Sequence, residues 1–304
     1  MGDSLYPLLR FAQYGLLLGL FGLMAFAMFG LRQSLPTGPN TKPSSGMIIA
    51  AWLAPVVSIA VMLASIGVMM AQPFWQLEWA TVQAILTGTD LGSAFFVRLF
   101  ALITAAILLI FWRTSAGRWL AISCFGISLA TLAWSGHAAA TEGATGLIHR
   151  LNDAAHLIAA GLWLGAIGWF LGLVLAAHRQ DAGLRSAPVI VDMHRFAPLG
   201  AFLVIAVSIT GLVNAHLTFG LGNVGAVIAT DYGVLLAAKI ALVVGMIGFG
   251  ARHAIMGRRL HKTDSDNLQP TLAQLRFTLA AELGVAVTVT ALIAMIGTLS
   301  PMIE

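Results

Sequence analysis

Cysteine is almost absent: Cys124 stands alone in 304 residues, which excludes an intrachain disulfide and any Cys-x-x-Cys metal or redox motif. Charge is scarce too. Asp, Glu, Lys and Arg make up 9% of the chain, against roughly 25% in soluble domains, so water is not its main solvent. Ten-residue segments of alternating polarity are missing, and runs such as Phe196 to Leu212 are apolar on all sides, which sets a transmembrane β-barrel aside. There is no Walker loop and no Ser nucleophile motif. ATP hydrolysis and ordinary hydrolase chemistry therefore lack a foothold, and the chain is expected not to be an enzyme. The net charge of +4 and pI near 9.7 do not indicate nucleic acid, because the basic residues sit in loops between apolar runs, where membrane orientation accounts for them.

What the chain has in abundance is hydrophobic sequence, 59% of residues with a mean hydropathy of +0.91. Runs of the length that crosses a bilayer, about 20 residues, recur at 11–31, 47–71, 94–113, 117–136, 148–177, 195–219, 232–256 and 276–299. The fold class that follows is all-α, a polytopic transmembrane helical bundle of about eight spans forming a single membrane domain, 1–304. The first run has Ala25-Phe26-Ala27, which resembles a signal-peptide cleavage site, but its n-region carries only Arg10 and its apolar stretch is long, so a retained helix is expected. Arg32 and Lys42, Arg113 and Arg118, Arg179, Arg185 and Arg195, and Arg252, Arg258, Arg259 and Lys262 cluster at the loops after spans one, three, five and seven. Those loops are expected to face the cytoplasm, with both termini periplasmic. Gln72 to Ser93, with Phe74, Trp75 and Trp79, reads as an outer interfacial cap.

In that topology His137, His149, His156 and His216 lie toward the outside, and His178, His194, His253 and His261 toward the cytoplasm. His149, Asp153 and His156 are spaced i, i+4, i+7 at the start of span five, one stripe of a helix. His137 ends span four across a short loop from them, so these four side chains can converge on one centre. His216, beyond Thr210 and Asn214 near the outer end of span six, either completes that site or bridges helices. Ionisable groups at membrane depth are costly and usually functional. Imidazole binds Cu, Zn, Fe and Ni, while a carboxylate serves as ligand or orients a ring. Thioether sulfur suits Cu(I), and Met69, Met70 and Met302 fall near the outer face, with Met62 and Met295 deeper; methionine is also common filler, and these form no compact box. Arg98, Asp231, Lys239 and Glu282 need partners or water within the bundle, and either mark a polar path or act as separate ties. Lys239 falls in the outer half and Glu282 in the inner half. Gly161, Gly165, Gly168 and Gly172, and Gly245, Gly248 and Gly250, are placed for helix packing.

Several of these segments together resemble the copper resistance protein D (CopD/PcoD) family of bacterial inner-membrane proteins. They are Gly136-His137; His149, Asp153 and His156 through Gly161-Leu-Trp-Leu-Gly165; Arg195-Phe196 with Thr210-Gly-Leu-Val-Asn214; Asp231-Tyr-Gly233 with Lys239; and Leu275-Arg276 to Glu282. The resemblance implies copper handling, as Cu(I) or Cu(II), across the inner membrane, from periplasm to cytoplasm, with a separate periplasmic CopC-like copper chaperone as partner. On that reading His137, His149, Asp153 and His156 form the outer metal site, with His216 as its fifth candidate, and Met69, Met70, Arg98, Asn214, Asp231, Lys239 and Glu282 lie along the path. Two other functions fit the same residues. Histidine pairs on neighbouring helices can ligate haem b in a membrane oxidoreductase, and a copper sensor or assembly scaffold would bind metal without moving it.

Overall fold

The computed structural model describes residues 5–29, 43–111, 114–179, 186–260 and 268–301. Ten helices and four short 3-10 turns are found among the described residues, with no strand. The helices are α1 (Leu5–Phe29), α2 (Ser45–Met69), α3 (Trp79–Gly88), α4 (Asp90–Leu108), α5 (Ser115–Ala130), α6 (Gly143–Arg179), α7 (Ser186–Phe219), α8 (Val224–Val227), α9 (Asp231–Leu260) and α10 (Leu268–Ile296). Eight of them, all but α3 and α8, are long and apolar enough to cross a bilayer, and each overlaps an expected span. The expected ends at 31 and 113, and Arg32, Lys42, Arg113, Arg185, His261, Lys262 and Met302, lie outside the described residues.

Hydroxyl caps decide several helix starts. Ser44, Thr89, Thr114 and Thr230 each accept a hydrogen bond from the backbone N–H three residues on, at 3.0 to 3.2 Å, satisfying donors that a helix N-terminus leaves unpaired. The Thr89 cap begins α4 at Asp90, four residues before the apolar run suggests. Similarly, α1 starts at Leu5 rather than near 11, with Pro7 in its first turn, where the missing N–H costs nothing. The expected outer cap resolves into a 3-10 turn, Phe74–Gln76, followed by α3. Trp75 and Trp79 are exposed there, as suits amphipathic rings at an interface.

Helix α1 lies at the centre, packed on α2, α5, α6 and α10. A Cβ on Gly22 would collide with the backbone of Gly161 and Gly165, and one on Gly165 with the backbone of Gly22. Small residues thus bring α1 and α6 into backbone contact, as in close transmembrane crossings generally. One apolar core joins α1, α2, α4 and α5 through Leu17, Phe21, Ala54, Leu102 and Phe125. A second joins α6, α7, α9 and α10. Phe26, Phe170 and Phe196 meet edge to face or tilted at the second core, with ring centres 4.9 to 5.5 Å apart, a favourable arrangement of aromatic quadrupoles.

Candidate metal-docking cavity

Glycine places the first histidine. Helix α5 passes into the 3-10 turn Thr131–Trp134, and at Gly136 the chain takes φ +148° and ψ −156°, a region essentially reserved for glycine. That bend sends the chain into the turn His137–Ala140. The histidine is held from two sides. Its Nε2 lies 3.2 Å from the Ile296 carbonyl at the end of α10, and Tyr232 at the start of α9 packs edge-on to its ring at 5.3 Å. A carbonyl only accepts, so Nε2 carries the proton and Nδ1 keeps a free lone pair in the neutral ring.

The first turns of α6 supply the next three groups. His149 is buried, with Nδ1 3.0 Å from the Thr141 hydroxyl. Asp153 accepts from the Asn214 amide at 2.8 Å, and Asn214 is itself fixed by an Asn152 amide at 2.7 Å. His156 Nδ1 lies 2.9 Å from Thr210 Oγ1. The Thr210 hydroxyl donates to the Ala206 carbonyl at 2.6 Å, so it accepts from His156, and Nε2 is the nitrogen left with a lone pair. Hydroxyls and a carbonyl thus orient the rings in the way that outer partners orient metal-ligating histidines.

His137, His149, Asp153 and His156 line one cavity of about 140 Å³, together with Asn214, Tyr232, Lys239 and Arg10. Cavity membership is as far as the convergence goes. Among the described residues no group of three or more His, Cys, Asp or Glu side chains is placed to hold one metal ion, so the four expected ligands share a chamber without closing a ligand cage. The remaining expected site residues are dispersed. His216 is exposed and does not line the chamber. Asp231 is exposed at the first turn of α9, while its neighbour Tyr232 reaches His137. Exposed Met69 and Met70 line a wider outer cavity of about 870 Å³ that shares Arg10, Gly136 and His137 with the chamber. Arg98 is buried away from the histidines and donates to the Thr131 hydroxyl and carbonyl at 2.9 and 2.8 Å. Glu282 faces His253 at 3.4 Å and lines a different cavity from the chamber.

Burial pushes the His137 imidazole below its ordinary value near 6.5; the Ile296 carbonyl opposes that shift and the nearby Arg10 adds to it. Arg10 is the residue that the sequence pattern conceals. It is buried in α1, donates to the Tyr6 hydroxyl at 3.2 Å and stacks near the Tyr6 and Tyr14 rings at 5.5 and 5.8 Å, a cation held by aromatic faces.

Residues 1–147 match the family described as Copper resistance protein D-like, N-terminal domain, and residues 191–296 match the family Copper resistance protein D. Copper resistance protein D of Pseudomonas syringae pv. tomato is 33% identical over the whole of this chain and 99% of its own length. The chain belongs to the copper resistance protein D family. Two partial relatives align over shorter stretches. The inner membrane protein YebZ of Escherichia coli is 31% identical over 56% of this chain and 55% of its own length. The copper transport protein CutJ of Bacillus subtilis is 33% identical over 59% of this chain and 30% of its own. No solved structure matches. Eight apolar spans and this kinship make the chain a multi-pass protein of the inner membrane. Within the family frame, the chamber draws Arg10 and His137 from the N-terminal matched region and Asn214, Tyr232 and Lys239 from the second. His149, Asp153 and His156 come from α6, which links the two.

Proposed function

We propose that this protein is a copper permease that takes copper at the periplasmic face and passes it to the cytoplasm. The observation that carries the reading is the single chamber lined by His137, His149, Asp153 and His156, in which two rings are fixed in tautomers that leave a lone pair free. Imidazole nitrogen binds copper in either oxidation state, and a carboxylate adds charge. Ligands gathered around an open chamber suit loading and release better than storage. The wider cavity with Met69 and Met70 opens toward His137 and serves as the approach, where soft thioethers favour Cu(I). A separate periplasmic chaperone of the CopC kind delivers the ion to that mouth. Copper leaves as the same ion that entered, so no catalytic residue is assigned.

The periplasmic assignment of this face rests on the Lys and Arg clusters of the opposite loops. A chamber of about 140 Å³ is below the roughly 300–1,000 Å³ of pockets that hold cofactor-sized ligands, and the wider cavity has one histidine. An ion therefore fits this site better than haem b. Purified protein reconstituted into liposomes should take up Cu(I), and His149→Ala/His156→Ala should lose most of both binding and uptake. Unchanged uptake in that variant overturns the reading. Binding without uptake in the wild type would point to a sensor or scaffold, and a Soret band lost in the variant to a haem protein.

A further inference from the structure

A second ionisable centre lies about 21 Å along α9 from Lys239, on the 1.5 Å rise per residue of a helix between positions 239 and 253. His253 of α9 and Glu282 of α10 are both buried, 7% and 2% exposed, with Nδ1 3.4 Å from Oε2. The other ring nitrogen, Nε2, lies 2.7 Å from Thr278 Oγ1. That hydroxyl donates to the Gln274 and Leu275 carbonyls at 3.0 and 3.2 Å, so it accepts from His253 and Nε2 carries a proton. Nδ1 and the carboxylate then face each other across 3.4 Å. With no further proton, a ring lone pair would oppose a buried anion, a repulsive arrangement in low dielectric. With one more proton the contact becomes either imidazolium against carboxylate or a carboxylic acid donating to imidazole, and both are attractive. The geometry therefore defines a site for one proton.

We infer that His253 and Glu282 form a proton-binding site in the inner half of the bundle, and that its loading and release supply the gradient coupling for metal movement. The coupling half of this inference rests on the permease reading; the proton site does not. A cavity of about 330 Å³ between α6, α7, α9 and α10 reaches both residues, and among the described residues no other ionisable side chain lines it. Thr278, His253 and Glu282 thus form a polar cluster against an otherwise apolar chamber walled by residues such as Trp163, Phe170 and Phe196. Of the described side chains on the packed helices, Arg10 and Tyr14 of α1, His149, Asp153 and His156 of α6 and Lys239 of α9 line the outer chamber. Arg195 and Arg252 are exposed, and Arg276 is half-buried. The chain has no nucleotide-binding motif to drive transport, and buried ionisable pairs of this kind carry protons in membrane pumps and transporters. Binding balances simply: in coupled movement one proton enters from one aqueous side and leaves to the other, with no bond made or broken beyond N–H or O–H.

The test uses the full-length protein in two measurements. In copper-free nanodiscs, pH-jump difference infrared spectra of wild type should contain a carboxyl and imidazole change that Glu282→Gln removes, and that Thr278→Val shifts by freeing Nε2. Identical wild-type and E282Q spectra overturn the proton site. In proteoliposomes, Cu(I) uptake by wild type should vary with internal pH by up to about tenfold per pH unit, the limit for one proton. E282Q should bind copper as wild type does yet show uptake flat in internal pH. Uptake by E282Q that keeps the wild-type pH dependence overturns the coupling. No uptake by wild type alongside an intact infrared change overturns the permease reading and the coupling with it, while supporting the proton site.

Discussion

His137 stands outside the spans, where proton and metal compete for the same ring. Its pKa is depressed, chiefly by burial and further by Arg10, against the opposing Ile296 carbonyl. A histidine whose folded value lies below its ordinary 6.5 stays neutral in mild acid, and the unfolded chain binds the extra proton first, so stability falls as pH drops from about 6.5 through the folded value. Metal binding at Nδ1 should accordingly persist below that ordinary value, and the ring should titrate below 6.5 in NMR spectra of labelled protein. Arg10→Met removes a repelling charge and should move that titration upward; a wild-type ring titrating at or above 6.5 contradicts this account. Arg98 illustrates a buried charge with a structural role. The Thr131 hydroxyl donates to Ser128 O at 2.7 Å and accepts from Arg98 Nε, so Thr131→Val strips one acceptor from a buried guanidinium. A hydrogen bond to a charged group contributes about 1.5–3 kcal/mol. Thermal unfolding in detergent should show a loss on that order with copper binding intact, and an unchanged midpoint would assign the contact no weight.

At the scale of elements, the link between α5 and α6 sets the chamber. Gly136 has no atom within 4 Å of where a Cβ would sit, so crowding is not the obstacle to substitution there. The obstacle is its backbone, and Gly136→Ala should cost about 1–3 kcal/mol or rotate His137 away from Ile296. Copper affinity falling more than that of a Gly143→Ala control, with the fold retained by circular dichroism, is the expected result; wild-type affinity in Gly136→Ala would show that the bend does not position the ring. This turn also marks how far the sequence could be read. Apolar length alone exposed the eight spans, because each must satisfy its own backbone in lipid. The i, i+4, i+7 stripe of His149, Asp153 and His156 was legible because helical period fixes side-chain direction. Tyr232 against His137, Thr210 behind His156 and Glu282 beside His253 were not, since each pairing joins different helices or turns far apart in the chain, and only the packing of those elements decides it. Arg10 looked like part of an n-region because nothing local reveals that α1 runs through the centre.

The whole molecule is divided by charge and chemistry along the membrane normal. Arg10, His137 and Gly297 gather at one face, where the first helix begins and the last one ends, as an even number of spans requires. The histidine chamber and methionine-lined mouth are at that face, while the His253–Glu282 pair sits toward the opposite one. Orientation then determines which compartment loads the metal. Excess Lys and Arg in the opposite loops favours retention of those loops in the cytoplasm, so Glu142, exposed between His137 and α6, should face the periplasm. The single native cysteine makes this directly measurable: Cys124 is buried within α5 and should stay unlabelled. Glu142→Cys should react with a membrane-impermeant maleimide added to intact spheroplasts. Ser265→Cys, at a position between α9 and α10 in the sequence, should react only after the membrane is opened. The reverse pattern would place the histidine chamber in the cytoplasm and turn the proposed import into export, with the same residues binding the same ion.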